Sequence, residues 1–313
     1  MSSMSRRWTW TAGQDDRYTV ELLDEGICWD SDTYDERAGA RLQQTRLQPK
    51  DDFLAYGPND SPPETIVREL ARELGLADPP WLKPLDPQTD ALLKAAGRGD
   101  VGAIRALLAA GLNVDARDQR GYTALWNAIV RGHNDAALVL LDAGADMRRR
   151  YRYDETALSL AAKYGDERLI KRLIDGGADV NVVECVNGET PLFSAIEKKR
   201  AAQNVRLLIE AGSDVNHSRK DGSTPLIRAV RNGLLDVVKM LVAAGAVVDR
   251  RDGDGMTALL HAAKWQSDPA FCEALLAAGA DSAAVDKFGM TAAMHASAQH
   301  RNGIAQMLAA KSR

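Results

Sequence analysis

Apolar residues return along this chain in a pattern that repeats every 33 or 34 residues. Within one unit, Leu125, Ala128 and Ile129 are spaced as on one helix face, and Leu140 and Leu141 lie on the apolar face of a second helix. A glycine ends each of these helices, because glycine readily adopts the positive φ that many helix ends require. The pattern therefore predicts two helices per unit, followed by an extended, hairpin-like finger that leads into the next unit.

A threonine anchor opens the first helix of each unit and is placed to cap it. An apolar residue follows two positions later, an alanine five positions later, and a glycine about 21 positions later. The anchors are Thr123, Thr156, Thr190, Thr224, Thr257 and Thr291, with Asp90 in the same slot one period earlier. A register kept through seven units is typical of a solenoid, whose units bury their apolar faces on each other, and argues against an accidental amphipathic pattern.

These units resemble ankyrin repeats, most closely at 187–192 (NGETPL) and 221–226 (DGSTPL). The resemblance covers about residues 88–313. It implies a mainly α-helical ankyrin-repeat solenoid of about seven helix–turn–helix units with finger loops. The first and last units depart from the pattern, so we expect them to act as caps. Polar residues predicted in the final helix of the last cap are Arg301, Asn302, Gln306 and Lys311.

Some units inside the array also depart from the family pattern. Asp154 stands in the third unit where the finger glycine is expected. The units that begin at Thr190 and Thr257 are predicted to carry one extra residue between their helices. None of these changes alters the predicted fold.

Residues 1–87 have a different composition, with four of the six tryptophans and eight of the eleven prolines. Short strands are predicted at 8–11, 18–23 and 27–29, and a capping box at 61–64 predicts a helix after them. We expect a small β-strand plus helix unit over 1–87, packed on the N-terminal end of the 88–313 array. A segment this short makes only a marginal core by itself.

Charge and hydropathy limit the class of protein. The net charge of −4 argues against a generally basic nucleic-acid binder, so a nucleic-acid partner is not expected. No stretch approaches 18 apolar residues, and the first residues do not resemble a secretory signal, so we expect a cytoplasmic protein without a membrane partner. Cys28, Cys185 and Cys272 lack C-x-x-C spacing and are expected to be buried thiols.

No motif for phosphate binding, metal hydrolysis or nucleophilic catalysis occurs in the chain, so neither a cofactor nor an enzymatic activity is expected. His261 and His295 hold the same slot in successive units, which suggests either a shared metal or structural hydrogen bonding. Stacked helices lie ~8–10 Å apart, which favours hydrogen bonding. The neighbouring Asp51 and Asp52 are expected to be surface carboxylates, although an enzyme hidden in residues 1–87 stays a remote alternative.

The resemblance implies that partners are met by the finger tips and by the exposed ends of the first helices. The predicted partner-binding residues are Arg120, Tyr122, Arg131, Arg150, Arg152, Tyr153, Lys163, Tyr164, Lys198, Arg231, Lys264 and Trp265. With Arg98, they include one helix-end cation in each of the first six units. These cations either complement the helix dipole or attract an acidic partner beside aromatic anchors, and both can hold together.

We therefore expect a non-enzymatic protein-binding scaffold whose partner has an acidic surface. The alanine-rich T-A-L units resemble bacterial ankyrin proteins. Such proteins often resemble immunity proteins, which would bind and block a cognate toxin through the concave repeat face. The alternative is a general adaptor, or a translocated effector that binds host proteins.

Overall fold

The computed structural model describes residues 85–311, except 119, 152–153, 186 and 197–200, together with residue 70 and four strands. The strands β1 (Arg6–Ala12), β2 (Asp16–Leu22), β3 (Ile27–Asp35) and β4 (Ala40–Gln48) form an antiparallel sheet in sequence order. The first three overlap the predicted segments, whereas β4 was not predicted. A strand with one apolar face has its apolar residues an even number of positions apart, but Leu42 and Leu47 are five apart, so the sequence gives no alternating pattern for β4.

The rest of the predicted N-terminal unit stays a prediction. Its helix after 61–64 lies outside the described residues, apart from Leu70, which is fully buried. Asp51 and Asp52 also lie outside them. The predicted packing of residues 1–87 on the array, as a strand-plus-helix unit, rests on these same undescribed residues.

Fourteen helices in the described part of the array form seven helix–turn–helix pairs, numbered here as repeats 1–7. The first helices are Pro87–Arg98, Ala124–Val130, Ala157–Tyr164, Pro191–Ile196, Pro225–Arg231, Ala258–Trp265 and Ala292–Ala298. The second helices are Val101–Ala109, Asn134–Asp142, Glu167–Asp175, Ala201–Glu210, Leu235–Ala243, Ala270–Ala277 and Asn302–Lys311. None of the described helices is long and apolar enough to cross a membrane.

The pairs stack into two layers, because each first helix contacts the next first helix, and successive second helices contact each other from repeat 1 to repeat 6. Leu125, Leu158 and Leu226 are almost fully buried between the layers, which stabilises the fold by about 1.5–3 kcal/mol per side chain. Alanines at one position of repeats 2–7 have no exposed surface: Ala128, Ala161, Ala195, Ala229, Ala262 and Ala296. The mainly helical solenoid of seven helix–turn–helix units predicted from the sequence is confirmed.

The anchor threonines cap the first helices as predicted in five repeats. Thr123, Thr156, Thr224, Thr257 and Thr291 each accept a hydrogen bond at Oγ1 from the amide three residues later, at 3.2 to 3.4 Å. In repeat 4, the Oγ1 atom of Thr190 is buried and has no hydrogen-bond partner among the residues that the structure describes. The finger before Thr190 is also one residue longer. Glu184 N–H reaches the carbonyl of Glu189, five positions on, whereas Asp118 N–H reaches Tyr122, four positions on.

Repeat 1 begins differently from the prediction. Asp90 was expected in the anchor slot, but Asp86 caps this helix by accepting from the Thr89 amide at 2.9 Å. Asp90 lies inside the helix and pairs with Lys94 at 2.6 Å. The helix starts a turn earlier because Pro87 suits the first helical position and Asp86 precedes it.

Two further predictions, for Asp154 in the finger of repeat 3 and for Arg301 in the last repeat, can be compared with the structure. Asp154 adopts φ of 61°, so it does replace the finger glycine. Arg301 precedes the final helix and does not belong to it. Its guanidinium donates to the carbonyls of Ala263 and Lys264 at 3.0 and 2.6 Å. Cation donors at a helix C-terminus satisfy carbonyls that lack helical partners.

This link between repeats recurs along the array. Asn204 donates to the carbonyl of Ala162 at 3.0 Å, and Asn232 donates to that of Ile196 at 3.1 Å. Gln266 likewise bonds the carbonyl of Val230 at 2.6 Å. The C-terminal carbonyls of a first helix are therefore satisfied by a side chain of the following repeat.

The cap geometry predicts different effects for the same substitution in two repeats. Thr224→Val removes a hydroxyl that bonds the Ile227 amide and should lower the free energy of unfolding by about 1 kcal/mol. Thr190→Val removes an unpartnered buried hydroxyl and should be neutral or stabilising. Urea unfolding of both variants measures the difference, and equal losses would contradict the assigned caps.

Candidate functional site

An aspartate organises the finger turn in several repeats. Asp118 Oδ1 accepts hydrogen bonds from the amides of Arg120 and Tyr122 at 2.8 and 2.9 Å. Burial raises the pKa of the Asp118 carboxyl. Asp252 and Asp286 hold their own turns in the same way. Arg120 is consequently exposed on a turn whose backbone is fixed.

Aromatic residues fill the space between the fingers of repeats 2 and 3. Tyr122, a predicted partner contact, is half-buried and stacks on Trp126 with 3.9 Å between ring centroids. Tyr151 is buried, and its hydroxyl lies 2.9 Å from Thr123 Oγ1. Burial raises the pKa of Tyr151 to about 12. Tyr151 therefore packs between the fingers, and only part of the Tyr122 side chain is left exposed to a partner.

The arginine-rich finger of repeat 3 is only partly described. Arg150 is exposed and forms an ion pair with Asp154 at 3.7 Å. Arg152 and Tyr153 lie outside the described residues, as does Lys198 of repeat 4. Their predicted roles therefore stay predictions.

The remaining predicted contacts lie at the C-terminal ends of the first helices. We call them the helix-end row: Arg131, Lys163, Tyr164, Arg231, Lys264 and Trp265. The cations of this row lie at slightly different positions relative to the last helical residue. Arg131 follows its helix, Arg231 is the last helical residue, and Lys163 precedes the last. The four first helices that carry these cations have seven or eight residues, and each cation lies within one residue of the last helical residue.

Exposure along the helix-end row varies with residue type. Arg131 and Arg231 are exposed, whereas Lys163 and Lys264 are half-buried. Tyr164 is 36% exposed and Trp265 is 57% exposed. The Lys163 and Lys264 ammonium groups lie 5.6 and 5.2 Å from the ring centroids of these neighbours. Cations over aromatic rings are attracted to the ring face.

Two cations on the second helix of repeat 3 are placed differently. Arg168 pairs with Asp135 at 3.0 Å, and Arg172 pairs with Asp142 at 3.3 Å, in both cases across to repeat 2. Arg131, Arg231 and Lys264 form no ion pair with any carboxylate among the described residues. The positive charge on the second helix of repeat 3 is therefore compensated within the array, whereas that of Arg131, Arg231 and Lys264 is not paired with a described carboxylate.

A group of glutamates near the middle of the array was missed by sequence analysis. Burial raises the pKa of Glu184 to about 7, and the charges of Glu155 and Glu189 add to this effect. Burial also raises the pKa of Glu155, which Lys163 opposes. Glu189 pairs with Arg219 at 3.3 Å. The sequence did carry a signal for this group. Glu155 and Glu189 stand at the finger position that Tyr122 and Met256 occupy in other repeats.

The two histidines are explained by hydrogen bonding. His261 Nε2 lies 2.6 Å from Asp252 Oδ2, and His295 Nε2 lies 2.9 Å from Asp286 Oδ2. Burial lowers the pKa of His261, although Asp252 opposes the shift. Within the described part of the chain, no three histidine, cysteine, aspartate or glutamate residues are grouped to hold a metal ion.

The cysteines differ from the prediction at one position. Cys272 is buried, and burial raises the pKa of its thiol to about 11. Cys185 was expected to be buried as well but is exposed, because it lies on the lengthened finger of repeat 4. The side chain of Cys28 lies outside the described residues.

Comparisons with known proteins agree with this architecture. A family model described as ankyrin repeats (3 copies) matches residues 63–151 and 158–252, and one described as ankyrin repeats (many copies) matches 233–276. No curated protein matches the chain.

Two similar solved structures are both ankyrin repeat domains. The human ASB11 ankyrin repeat domain is 25% identical with a TM-score of 0.63, over 69% of this chain and 96% of that one. The ankyrin repeat domain of Bcl-3, described as a unique member of the IkappaB protein family, is 26% identical with a TM-score of 0.58, over 69% and 97%.

The half-buried glutamate predicts a pH-dependent stability. Folding raises the pKa of Glu184 from 4.5 to about 7, so the stability that its bound proton supplies is lost as the pH rises through this window. Glu184→Gln should therefore raise the free energy of unfolding at pH 8 by roughly 1–3 kcal/mol and change it little at pH 5. Glu167→Gln is the matched control, because Glu167 bonds Lys171 and its pKa is lowered. An equal gain from Glu184→Gln at both pH values would contradict this account.

Proposed function

Since this chain belongs to the ankyrin-repeat family, we propose that it is a non-enzymatic scaffold that binds an acidic surface of another protein. Ankyrin repeats bind other proteins, and no family with a catalytic activity matches the chain. The proposed contact surface is the helix-end row together with the exposed finger residues Arg120 and Arg150. The resemblance to ankyrin proteins implies that this surface belongs to the concave repeat face.

The contrast in charge pairing carries this proposal. The second-helix cations Arg168 and Arg172 of repeat 3 already contact carboxylates of the neighbouring repeat. Among the described residues, Arg131, Arg231 and Lys264 contact none, so an incoming carboxylate would not have to displace an internal partner. Attraction between unlike charges also accelerates encounter with an acidic partner.

The helix dipole accounts for part of the same pattern. A cation at a helix C-terminus is stabilising by ~0.3–1 kcal/mol whether or not it binds a partner. The dipole does not require an aromatic residue beside it, yet Tyr164 and Trp265 expose 36% and 57% of their surface there. Exposed aromatics next to cations are typical of protein contact sites.

The most specific form of the proposal is a bacterial, cytoplasmic immunity protein that blocks a cognate toxin. Its support is the resemblance of the alanine-rich T-A-L units to bacterial ankyrin proteins with a short unrelated N-terminal segment. The free thiols of Cys185 and Cys272 are compatible with a reducing compartment. A general adaptor, or an effector acting on host proteins, is the competing role.

Removing three cations of the helix-end row should weaken partner binding. We expect Arg131→Ala, Lys163→Ala and Arg231→Ala together to lower affinity by about 10-fold and to flatten its salt dependence, because exposed charge contacts are screened by ions. Isothermal titration with the captured partner at two ionic strengths measures both effects.

A matched control removes three cations from the opposite side of repeat 3. Arg168→Ala, Lys171→Ala and Arg172→Ala change the net charge equally but affect residues paired within the array. This variant should bind nearly as tightly as the natural chain. Equal losses in the two variants would mean that only net charge matters, and no loss in the first would leave the helix dipole as the role of these cations.

The immunity role has its own test. Co-expression with the product of the adjacent gene should yield a stable complex and should rescue cells that this product poisons. If no complex formed and the poisoned cells were not rescued, the immunity role would be rejected. Stoichiometric capture of a host protein, lost in the Arg131/Lys163/Arg231 variant, would support the adaptor role in its place.

A further inference from the structure

Repeats 3 and 6 share a distinct ending of the first helix. Ala157–Tyr164 and Ala258–Trp265 each have eight residues, one more than the first helices of repeats 2, 5 and 7. The next residue is extended in both, with φ and ψ of −83° and 178° at Gly165 and −97° and 132° at Gln266. In repeats 2 and 5, the chain instead turns through the left-handed glycines Gly132 and Gly233.

This ending exposes an aromatic side chain at an equivalent place in the two repeats. Both helices begin at a capping threonine, Thr156 or Thr257, and both end eight residues later at Tyr164 or Trp265. A lysine precedes each aromatic residue and lies near its ring. The helix-end row therefore contains two matching lysine–aromatic pairs, three repeats apart.

Positive charge continues between the two pairs. Arg231 of repeat 5 is exposed, and it forms no ion pair with the described carboxylates. Packed helices lie 8–10 Å apart, so three repeat steps separate the aromatic residues by about 24–30 Å. A helix rises 1.5 Å per residue and covers this distance with about 16–20 residues.

We propose that the two lysine–aromatic pairs, with Arg231 between them, form a docking strip for an acidic α-helix of the partner protein. This helix carries a large apolar side chain near each end, one for Tyr164 and one for Trp265. Carboxylates between them face Lys163, Arg231 and Lys264. The inference rests on the proposed function, because it specifies which element of the protein partner is bound.

The surroundings of the strip favour a helix over an extended segment. The bridges of the finger hairpins, such as Arg117 with Thr123, lie at the opposite ends of the first helices. No described strand offers an edge beside Tyr164 or Trp265, so an extended segment would gain no backbone pairing there. A helix satisfies its own backbone hydrogen bonds and presents carboxylates and apolar side chains on one face.

Synthetic helices test the strip without knowledge of the partner. The main probe is a fluorescein-labelled peptide, rich in glutamate and alanine, with two leucines about 18 residues apart, which is five helical turns and places both on one face. Fluorescence anisotropy with the full chain should give saturable binding. A peptide of identical composition with its leucines only two turns apart should bind about tenfold more weakly, and a lysine-for-glutamate version should not bind.

Single variants of the protein identify the two anchors. Tyr164→Ala and Trp265→Ala should each weaken binding of the main probe by about tenfold, because each removes one apolar contact. Phe288→Ala is the matched control, since Phe288 is 79% exposed and also lies near a lysine, 5.2 Å from Lys287, but on a finger tip outside the strip. It should leave binding unchanged. Unchanged thermal unfolding of all three variants verifies that they fold.

Several results would overturn the strip. They are equal binding of the two leucine spacings, loss of binding in only one of the two anchor variants, or an equal loss in Phe288→Ala. Absence of binding by the main probe would overturn it as well. The proposed function would survive any of these results if the captured partner still lost affinity for the Arg131/Lys163/Arg231 variant. It would fail separately if that variant bound normally.

Discussion

Neighbouring first helices can pack closely only because a small side chain occupies the same place in repeat after repeat. Ala161, Ala195 and Ala229 have no exposed surface, so a larger side chain there would have to push two helices apart. Since each repeat contacts only its neighbours, this spacing sets the geometry of the whole array. The rows of finger and helix-end residues are regular because the alanine row beneath them is regular.

The periodic positions were also the part that could be predicted from sequence. Capping threonines, core leucines and left-handed glycines act through local backbone geometry, so their spacing alone indicates the fold. Deviations inside a repeat depend on which of two nearby residues caps a helix or where an extra residue is placed, and the period alone does not reveal either. The finger before Thr190 has an extra residue although the period there is an ordinary 34. Asp86 caps the first helix of repeat 1 because Pro87, which suits the first helical position, follows it.

The candidate site was predictable only as a set of residue types. Sequence identified the helix-end cations and aromatics, but it could not separate exposed from packed side chains. Tyr122 stacks inside the finger row, whereas Trp265 is exposed. The glutamates around Glu184 were missed because carboxylates on a finger are usually solvated, and the groups that shift the pKa of Glu184 come from repeat 3 as well as repeat 4. The ion pairs of Arg168 and Arg172 could not be predicted either, because they join residues of different repeats.

The first helices of repeats 3 to 6 end in carbonyls that a side chain of the next repeat satisfies. For repeat 6, this side chain is Arg301, which bonds the carbonyls of Ala263 and Lys264 just before Trp265. Repeats of this array are therefore not interchangeable modules. Grafting repeat 6 into another scaffold would transfer its tryptophan but not the orientation of the helix end that carries it. A functional transplant would have to include the neighbour on the C-terminal side.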